Sequence, residues 1–89
     1  MIYYHIMKVN HYTGSVYFYN LEYGQYFSEC CREPGTLRTQ SYTLAKRWLK
    51  KLMEECQEAF DCDFYIHADD YVPCERCRVL QNNLPCEIK

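Results

Sequence analysis

Three cysteines near the end of the chain carry its clearest chemical signal. Cys74 and Cys77 form a CxxC pair in "PCERC", and Cys86 follows in "LPC". A CxxC pair places two thiolates about one turn apart, close enough to bind one tetrahedral metal ion. A proline directly precedes Cys74 and another precedes Cys86, which fixes the backbone just before each thiol. The pattern predicts three cysteine ligands of a single zinc ion.

A tetrahedral zinc needs a fourth ligand, and His67 is the leading candidate. It stands upstream of Cys74, at the end of a predicted strand, where the backbone can hold an imidazole rigidly. The resulting Cys3His set is closed, which is typical of a structural site because no position remains for water. The rivals for the fourth place are Cys62 and the adjacent pair Cys30 and Cys31.

Two other interpretations of these cysteines are a redox CxxC and free thiols. A redox CxxC normally begins a helix in a βαβ unit, whereas this pair follows "YVP" in an irregular segment. Free thiols do not explain the clustering of the cysteines or the proline that precedes two of them.

His5 and His11 are interpreted as ordinary strand and turn residues. The sequence contains no glycine-rich phosphate loop and no convincing Ser/His/Asp set, so a protein that is not an enzyme is expected.

Composition limits the class of protein. Eighty-nine residues suffice for one domain, and 17% of them are aromatic, including ten tyrosines. The N-terminus has no basic segment followed by an apolar one, and no apolar run approaches the roughly 20 residues of a membrane span. A cytoplasmic protein is therefore expected. In that compartment seven cysteines, an odd number, are better explained as thiols and metal ligands than as disulfides.

Local patterns predict a single α+β domain with the element order β-β-α-β. An antiparallel sheet, formed by an N-terminal hairpin and a third strand, is expected to pack on one amphipathic helix, with a zinc-organised C-terminal tail. The predicted bounds within the domain 1–89 are a hairpin at about 2–23, a long loop at 24–40, a helix at about 41–60, a strand at about 63–67 and a metal-binding tail at 68–89. Neither face of the hairpin is cleanly polar, so either both faces are covered or one presents tyrosines to solvent or to a partner.

The helix is the most strongly patterned element. Ser41 is a suitable N-cap, and the apolar residues after it recur on one arc at about 100° per residue. Trp48 and Cys56 lie on that arc, so both are expected in the core rather than in a functional site. The arc contains Ala45, Trp48, Leu49, Leu52, Cys56, Ala59 and Phe60.

Charge is distributed unevenly along the chain. Residues 1–50 carry six basic and three acidic side chains, whereas residues 51–89 carry four basic and nine acidic ones. The acids at the end of the helix are poorly placed for helix stability, since the macrodipole disfavours anions there. They form either a solvated face or a surface for a basic protein partner. The candidate residues are Glu54, Glu55, Glu58, Asp61, Asp63, Asp69 and Asp70.

The profile resembles the small, acidic, single-domain anti-CRISPR proteins that phages encode, in particular a zinc-containing inhibitor of Cas9 within that group. The resemblance is carried by chain length, by the cysteine-bearing segment "HADDYVPCERC…LPC" and by the acidic second half. It implies a non-enzymatic inhibitor in the bacterial host cell. Such an inhibitor would bind Cas9 or its guide-RNA complex and block DNA loading or cleavage, with zinc as a scaffold.

Two alternatives remain open at this point. The first is a small zinc-ribbon-like regulator that binds nucleic acid through stacked tyrosines and a basic patch. Its basic residues would be Arg32, Arg38, Lys46, Arg47 and Lys50. The second is a thiol redox protein that uses Cys74 and Cys77. An overall charge of −2 makes direct nucleic-acid binding unexpected, and a monomer that does not associate with membranes is favoured.

Overall fold

A computed structural model of the chain describes residues 1–56 and 60–72. They form an antiparallel sheet of five strands with one helix, a small α+β fold. The elements, in chain order, are β1 (Ile2–Asn10), β2 (Val16–Asn20), β3 (Gln25–Ser28), β4 (Arg38–Thr39), α1 (Tyr42–Glu55) and β5 (Cys62–Asp70). The predicted α+β class, with an antiparallel sheet and one helix, is confirmed, whereas the predicted order β-β-α-β lacks two strands, β3 and β4, that precede the helix. The predicted tail lies mostly outside the described residues.

β1 is the central strand of the sheet. β5 pairs with its whole length, from Ile2 opposite Asp70 to Asn10 opposite Cys62. The other edge of β1 is shared, because β4 pairs with Tyr4 and His5 while β2 pairs with residues 7–9. β3 pairs with β2 and forms the outer strand on that side. A residue near the middle of β1 therefore has neighbours from two different strands.

α1 covers one face of the sheet through the predicted apolar arc. Its first turn is capped by Ser41, whose Oγ accepts a hydrogen bond from the Leu44 amide at 3.2 Å. Trp48 and Leu52 pack with Ile6 of β1 in the buried core. The helix ends at Glu55, where Cys56 is already extended. The expectation that Phe60 belongs to the core is wrong, since its side chain is 96% exposed beyond the end of the helix.

The sheet face opposite α1 is also covered, which answers the question that the hairpin pattern left open. Tyr3, His5 and Phe18 are buried on it, and so is Arg38 of β4. Antiparallel partners point to the same face, and His5 lies directly opposite both Arg38 and His67. The loop between β3 and β4 and the residue Tyr71 after β5 approach this face through their contacts with these side chains.

The segment predicted as a loop at 24–40 contains two short strands, β3 and β4. The segment predicted as a strand at about 63–67 extends on both sides, over Cys62–Asp70. Asp69 and Asp70, which were assigned to an irregular tail, are therefore strand residues. Each of these extensions is supplied by pairing with a distant partner in the sheet rather than by local pattern.

In the described part of the chain, no helix has both the length and the apolar character needed to span a membrane.

Candidate metal centre

The central position of β1 brings two histidines together on the face opposite α1. His5 and His67 are direct register partners of β1 and β5, and their ring centroids lie 5.8 Å apart. Phe18 packs against both rings, at 6.0 Å from His5 and 5.2 Å from His67. His5 is fully buried, and His67 is partly buried. Strand register and an aromatic neighbour thus fix the two imidazoles side by side.

Cys31 reaches the histidines from the loop between β3 and β4. A tight turn precedes β4, with hydrogen bonds from the Glu33 amide to the Cys30 carbonyl and from the Thr36 amide to the Glu33 carbonyl. Gly35 completes the turn with a φ of +91°, a conformation that favours glycine. The loop is anchored to the sheet as well, because the Leu37 amide donates to the Tyr19 carbonyl.

His5, Cys31 and His67 together form a group that could hold a metal ion. One ligand atom from each residue lies within 4.8 Å of the other two. Ligand atoms on a tetrahedral zinc, at about 2.0–2.3 Å from the metal, lie about 3.3–3.8 Å from one another. Small side-chain rotations therefore suffice to bring the three atoms onto one ion. Two imidazoles and a thiol are a donor set that suits zinc and related transition metals.

The hydrogen bonds of His5 determine which ring nitrogen can bind a metal. Its Nδ1 lies 3.1 Å from the carbonyl oxygen of His67, and a carbonyl only accepts, so Nδ1 carries the proton. Burial lowers the pKa of His5 to about 4, so the ring is neutral near pH 7. Nε2 therefore holds the lone pair, and it accepts a hydrogen bond of 2.8 Å from the Tyr71 hydroxyl. A histidine whose other N–H is held by a backbone carbonyl is the usual arrangement of a metal ligand.

Cys31 is a protonated thiol in this arrangement. Burial, followed by the hydrogen bond that its Sγ donates to Asp69 at 3.4 Å, raises the pKa of the thiol to about 11. Such a thiol is a poor nucleophile at neutral pH, since the thiolate is the reactive form. A bound metal ion would instead displace the thiol proton.

Asp69 is held in place by Arg32 of the same loop. The Nε and Nη2 groups of Arg32 donate to its two carboxylate oxygens at 2.8 and 3.3 Å. These hydrogen bonds keep the pKa of Asp69 low, at about 2, so the carboxylate stays ionised. The Arg32–Asp69 pair joins the loop to β5 directly beside Cys31.

Arg38 is the charged neighbour of the group on the side of β4. Its side chain is 2% exposed, and its Nη2 donates to the Glu33 carbonyl at 2.8 Å. Its Nε and Nη1 atoms are buried without a hydrogen-bond partner among the residues described. The guanidinium lies 5.7 Å from the ring centre of Tyr71, the same residue that donates to His5. A buried positive charge therefore lies next to the candidate ligands.

The structure brings together part of the ligand set that the sequence predicts. His67 belongs to the group, and Cys31 was among the rivals for the fourth place. Cys62 does not belong, because it lies an odd number of residues from His67 along β5 and so faces α1, where it is buried. Cys30 is exposed. The predicted ligands Cys74, Cys77 and Cys86 lie outside the described residues.

Sequence reasoning missed His5, which was interpreted as an ordinary strand residue. Its partner His67 is 62 residues away in the chain. The sequence does place one histidine in each of the two strand-like segments, which would indicate a shared site if the two strands paired. This signal becomes informative only once the register of β1 and β5 is known.

The acidic residues proposed for partner binding are partly engaged within the fold. Asp63 pairs with His11 at 2.9 Å, Asp69 pairs with Arg32, and Asp70 pairs with the N-terminal amine at 2.6 Å. Glu54 and Asp61 are exposed and make no ion pair within the described ranges. Glu55 is also exposed, 3.8 Å from Lys51. Glu58 lies outside the described residues.

No protein-family model matches the chain, and comparisons with curated proteins and with solved structures find no match.

Proposed function

We propose that the protein is a non-enzymatic binding module whose loop and sheet are joined by a structural zinc ion. The observation that carries the proposal is the His5, Cys31 and His67 group, with its ligand atoms within 4.8 Å of one another. Zinc suits this donor set because it accepts nitrogen and sulfur ligands in a tetrahedral arrangement without geometric strain. The loop from residue 29 to 37 would then be fastened to the centre of β1 and to β5.

Metal binding has a clear structural use at this place. Cys31 comes from the loop between β3 and β4, while both histidines belong to the most extensive strand pair of the sheet. A small domain buries a limited fraction of its surface, so a metal that ties a loop to the sheet adds stability that its core cannot supply. The predicted ligands Cys74, Cys77 and Cys86 remain candidates to complete the coordination.

The test is the metal content and folding of matched cysteine variants. Protein purified without added metal should contain about one equivalent of zinc, measured by elemental analysis. The Cys31→Ser variant should lose the metal and unfold at a lower temperature, whereas Cys30→Ser should keep both properties. The two residues are adjacent, so they share loop conformation and differ in access to the histidines. A wild-type protein whose stability does not depend on metal, or a Cys31→Ser variant that keeps its zinc, would contradict the proposal.

We further propose that the module inhibits a large basic protein, with Cas9 or its guide-RNA complex as the partner that the anti-CRISPR resemblance implies. Exposed acids and exposed aromatics lie close together around the start of β5, where Phe60 is 96% and Tyr65 48% exposed near Asp61 and Asp63. Aromatic rings provide contact area at low entropic cost, and acidic side chains steer association with a basic surface.

The burial of Arg38 favours this proposal over the nucleic-acid alternative. Arg38 was part of the basic patch that the alternative requires, yet its guanidinium is inside the fold. Arg32, another member, is engaged by Asp69. Lys46, Arg47 and Lys50 of α1 remain exposed. The test is binding of the zinc-loaded protein to Cas9, with and without guide RNA, in parallel with salt-dependent shifts of DNA and RNA. A shift of nucleic acid without an effect on Cas9 would replace the inhibitor with the regulator.

A further inference from the structure

Arg38 is a buried cation that the fold does not neutralise among its described residues. A guanidinium carries five N–H donors and keeps its charge at all physiological pH values. Its Nη2 donates to the Glu33 carbonyl, and the buried Nε and Nη1 have no hydrogen-bond partner in residues 1–56 and 60–72. Buried charges are costly unless they are paired. An anion bound beside Arg38 would neutralise this charge and accept hydrogen bonds from its unpaired donors.

The geometry places this unneutralised charge at the candidate metal group. Arg38 and His5 are direct register partners, so their side chains leave the same face of neighbouring strands. Burial is the main cause of the lowered pKa of His5, and the positive charge of Arg38 close to the ring lowers it further. Its guanidinium also lies over Tyr71, whose hydroxyl occupies Nε2 of His5. The unpaired donors and the metal-binding nitrogen thus belong to one buried neighbourhood.

Counted over the residues that the structure describes, the charge of a metal-loaded site is positive. A zinc ion with two neutral imidazoles and one thiolate has a net charge of +1, and Arg38 adds another. The Arg32–Asp69 pair adds nothing, because its two charges cancel. A neutral fourth ligand, such as water or a third imidazole, would leave both positive charges in a buried place. An anion would reduce the charge and could also accept hydrogen bonds from the free donors of Arg38.

We propose that the fourth coordination position takes an anionic ligand that is also held by Arg38. The inference rests on the zinc-binding function proposed above and adds the chemistry of the missing ligand. The anion has two possible sources. One is a thiolate of the chain itself, from Cys74, Cys77 or Cys86, and the other is a small oxyanion from solution, for which inorganic phosphate is the probe.

Cobalt(II) substitution of the full chain distinguishes these sources, since zinc has a filled d shell and cobalt(II) reports its ligands in the visible spectrum. If the chain supplies the anion, the triple variant Cys74→Ser, Cys77→Ser, Cys86→Ser should lose about half of the sulfur-to-cobalt absorption, and phosphate should have no effect on the wild type. If the anion comes from solution, the triple variant should keep that absorption, and phosphate should change the cobalt bands in a saturable titration.

Arg38 is tested by its methionine and lysine variants. Arg38→Met should weaken binding of the anion, or of the metal where the anion is a thiolate, by about 10- to 100-fold. Arg47→Met is the matched control, because it removes the same charge from an exposed position on α1 and should change nothing. If Arg38→Met does not fold, Arg38→Lys replaces it. Lysine keeps the charge but lacks the planar set of N–H donors of the guanidinium, so binding of the anion or metal should weaken several-fold.

The outcomes separate this inference from the function on which it rests. A chain that binds no cobalt or zinc overturns both. A chain that binds metal, but whose spectrum responds to neither phosphate nor the cysteine substitutions, has a neutral fourth ligand, and only the inference fails. The inference also fails if Arg38→Met binds metal and anion as the wild type does.

Discussion

The backbone carbonyl of His67 accepts a hydrogen bond from Nδ1 of His5, so one candidate ligand orients the other. The two residues are opposite partners in the longest strand pair of the sheet, and the interaction fixes His5 in the tautomer that can bind a metal through Nε2. The pair is therefore a preformed part of the candidate metal site. The third member of the group, Cys31, must be brought to the histidines by the loop between β3 and β4.

The first prediction concerns His67. His67→Asn keeps the backbone carbonyl that orients His5 but removes one ligand nitrogen, so zinc affinity should fall by at least about tenfold. The measurement is competition with a chromophoric chelator. His11→Asn is the control, because His11 directly follows β1, is exposed and pairs with Asp63. Equal loss of affinity in the two variants would mean that His67 has no special role in the site.

The second prediction is that Tyr71 contributes to stability in the metal-free state but much less in the metal-bound state. Without metal, its hydroxyl satisfies the buried Nε2 of His5 at 2.8 Å. Tyr71→Phe keeps the ring but leaves that nitrogen unpaired, so the free energy of unfolding in the presence of a chelator should fall by about 1–3 kcal/mol. With zinc on Nε2 the loss should largely disappear, because the metal replaces the hydroxyl as partner.

The control for this substitution is Tyr3→Phe. The ring centroid of Tyr3 lies 5.3 Å from that of Tyr71, but among the described residues its hydroxyl makes only a long contact of 3.9 Å with the Met1 sulfur. Denaturant unfolding should therefore show a small loss for Tyr3→Phe that is the same with and without zinc. A loss for Tyr71→Phe that zinc does not reduce would indicate that the metal does not bind Nε2.

The third prediction tests the turn that positions the Cys31 loop. Gly35 has a φ of +91°, and a Cβ added there would lie 2.8 Å from a carboxylate oxygen of Glu22 and 2.9 Å from Oδ1 of Asn20. Gly14 also has a positive φ, of +73°, but a Cβ there meets nothing within 4 Å. Gly14→Ala should therefore cost only the backbone strain, about 1–2 kcal/mol. Gly35→Ala should cost more than that.

The two glycine variants should also differ in metal binding. The turn at Gly35 leads directly from the Cys31 loop into β4, so its displacement should lower zinc affinity, whereas the hairpin turn at Gly14 is remote from the group. Thermal unfolding and chelator competition measure the two effects. Equal destabilisation by both substitutions would show that Glu22 and Asn20 give way without cost.

The features that sequence predicted correctly are those with a local signature. α1 has a capping serine and a repeat of 3.6 residues, and its Trp48 is in the core as predicted. The hairpin has a turn at Gly14 between two apolar segments. β3 and β4 have four and two residues, too few for a period to emerge, and they exist because neighbouring strands supply their hydrogen bonds.

The candidate site was predicted only in part for the same reason. His5 and His67 become neighbours through a strand register that no local pattern reveals. Cys30 and Cys31 are indistinguishable in sequence, and the turn between Cys30 and Glu33 decides which of them approaches the histidines. Arg38 looked like a surface cation because arginine is rarely buried. Its burial follows from its place opposite His5.

The last prediction concerns the partner surface. Glu54 is exposed on the side of α1 away from the core. Glu55 is exposed at the edge of the apolar arc, close to Tyr19, and lies 3.8 Å from Lys51. Reversal of Glu54, Glu55 and Glu58 to lysine should therefore leave zinc content and melting temperature close to those of the wild type. If these acids steer the protein toward Cas9, the association rate should fall, with the largest loss at low salt, where screening is weakest.

The matched control for this prediction reverses basic residues of the same helix, Lys46→Glu with Arg47→Glu. Both are exposed, so this variant also changes only surface charge, with the opposite sign. Surface plasmon resonance at two salt concentrations should show slower association for the acidic reversal and no slowing for the basic one. If the acidic reversal associates as fast as the wild type, the helix acids are a solvated face, and Asp61 becomes the next residue to test. If only the basic reversal loses binding, and its ligand is RNA or DNA, the helix is a nucleic-acid surface and the inhibitor proposal is wrong.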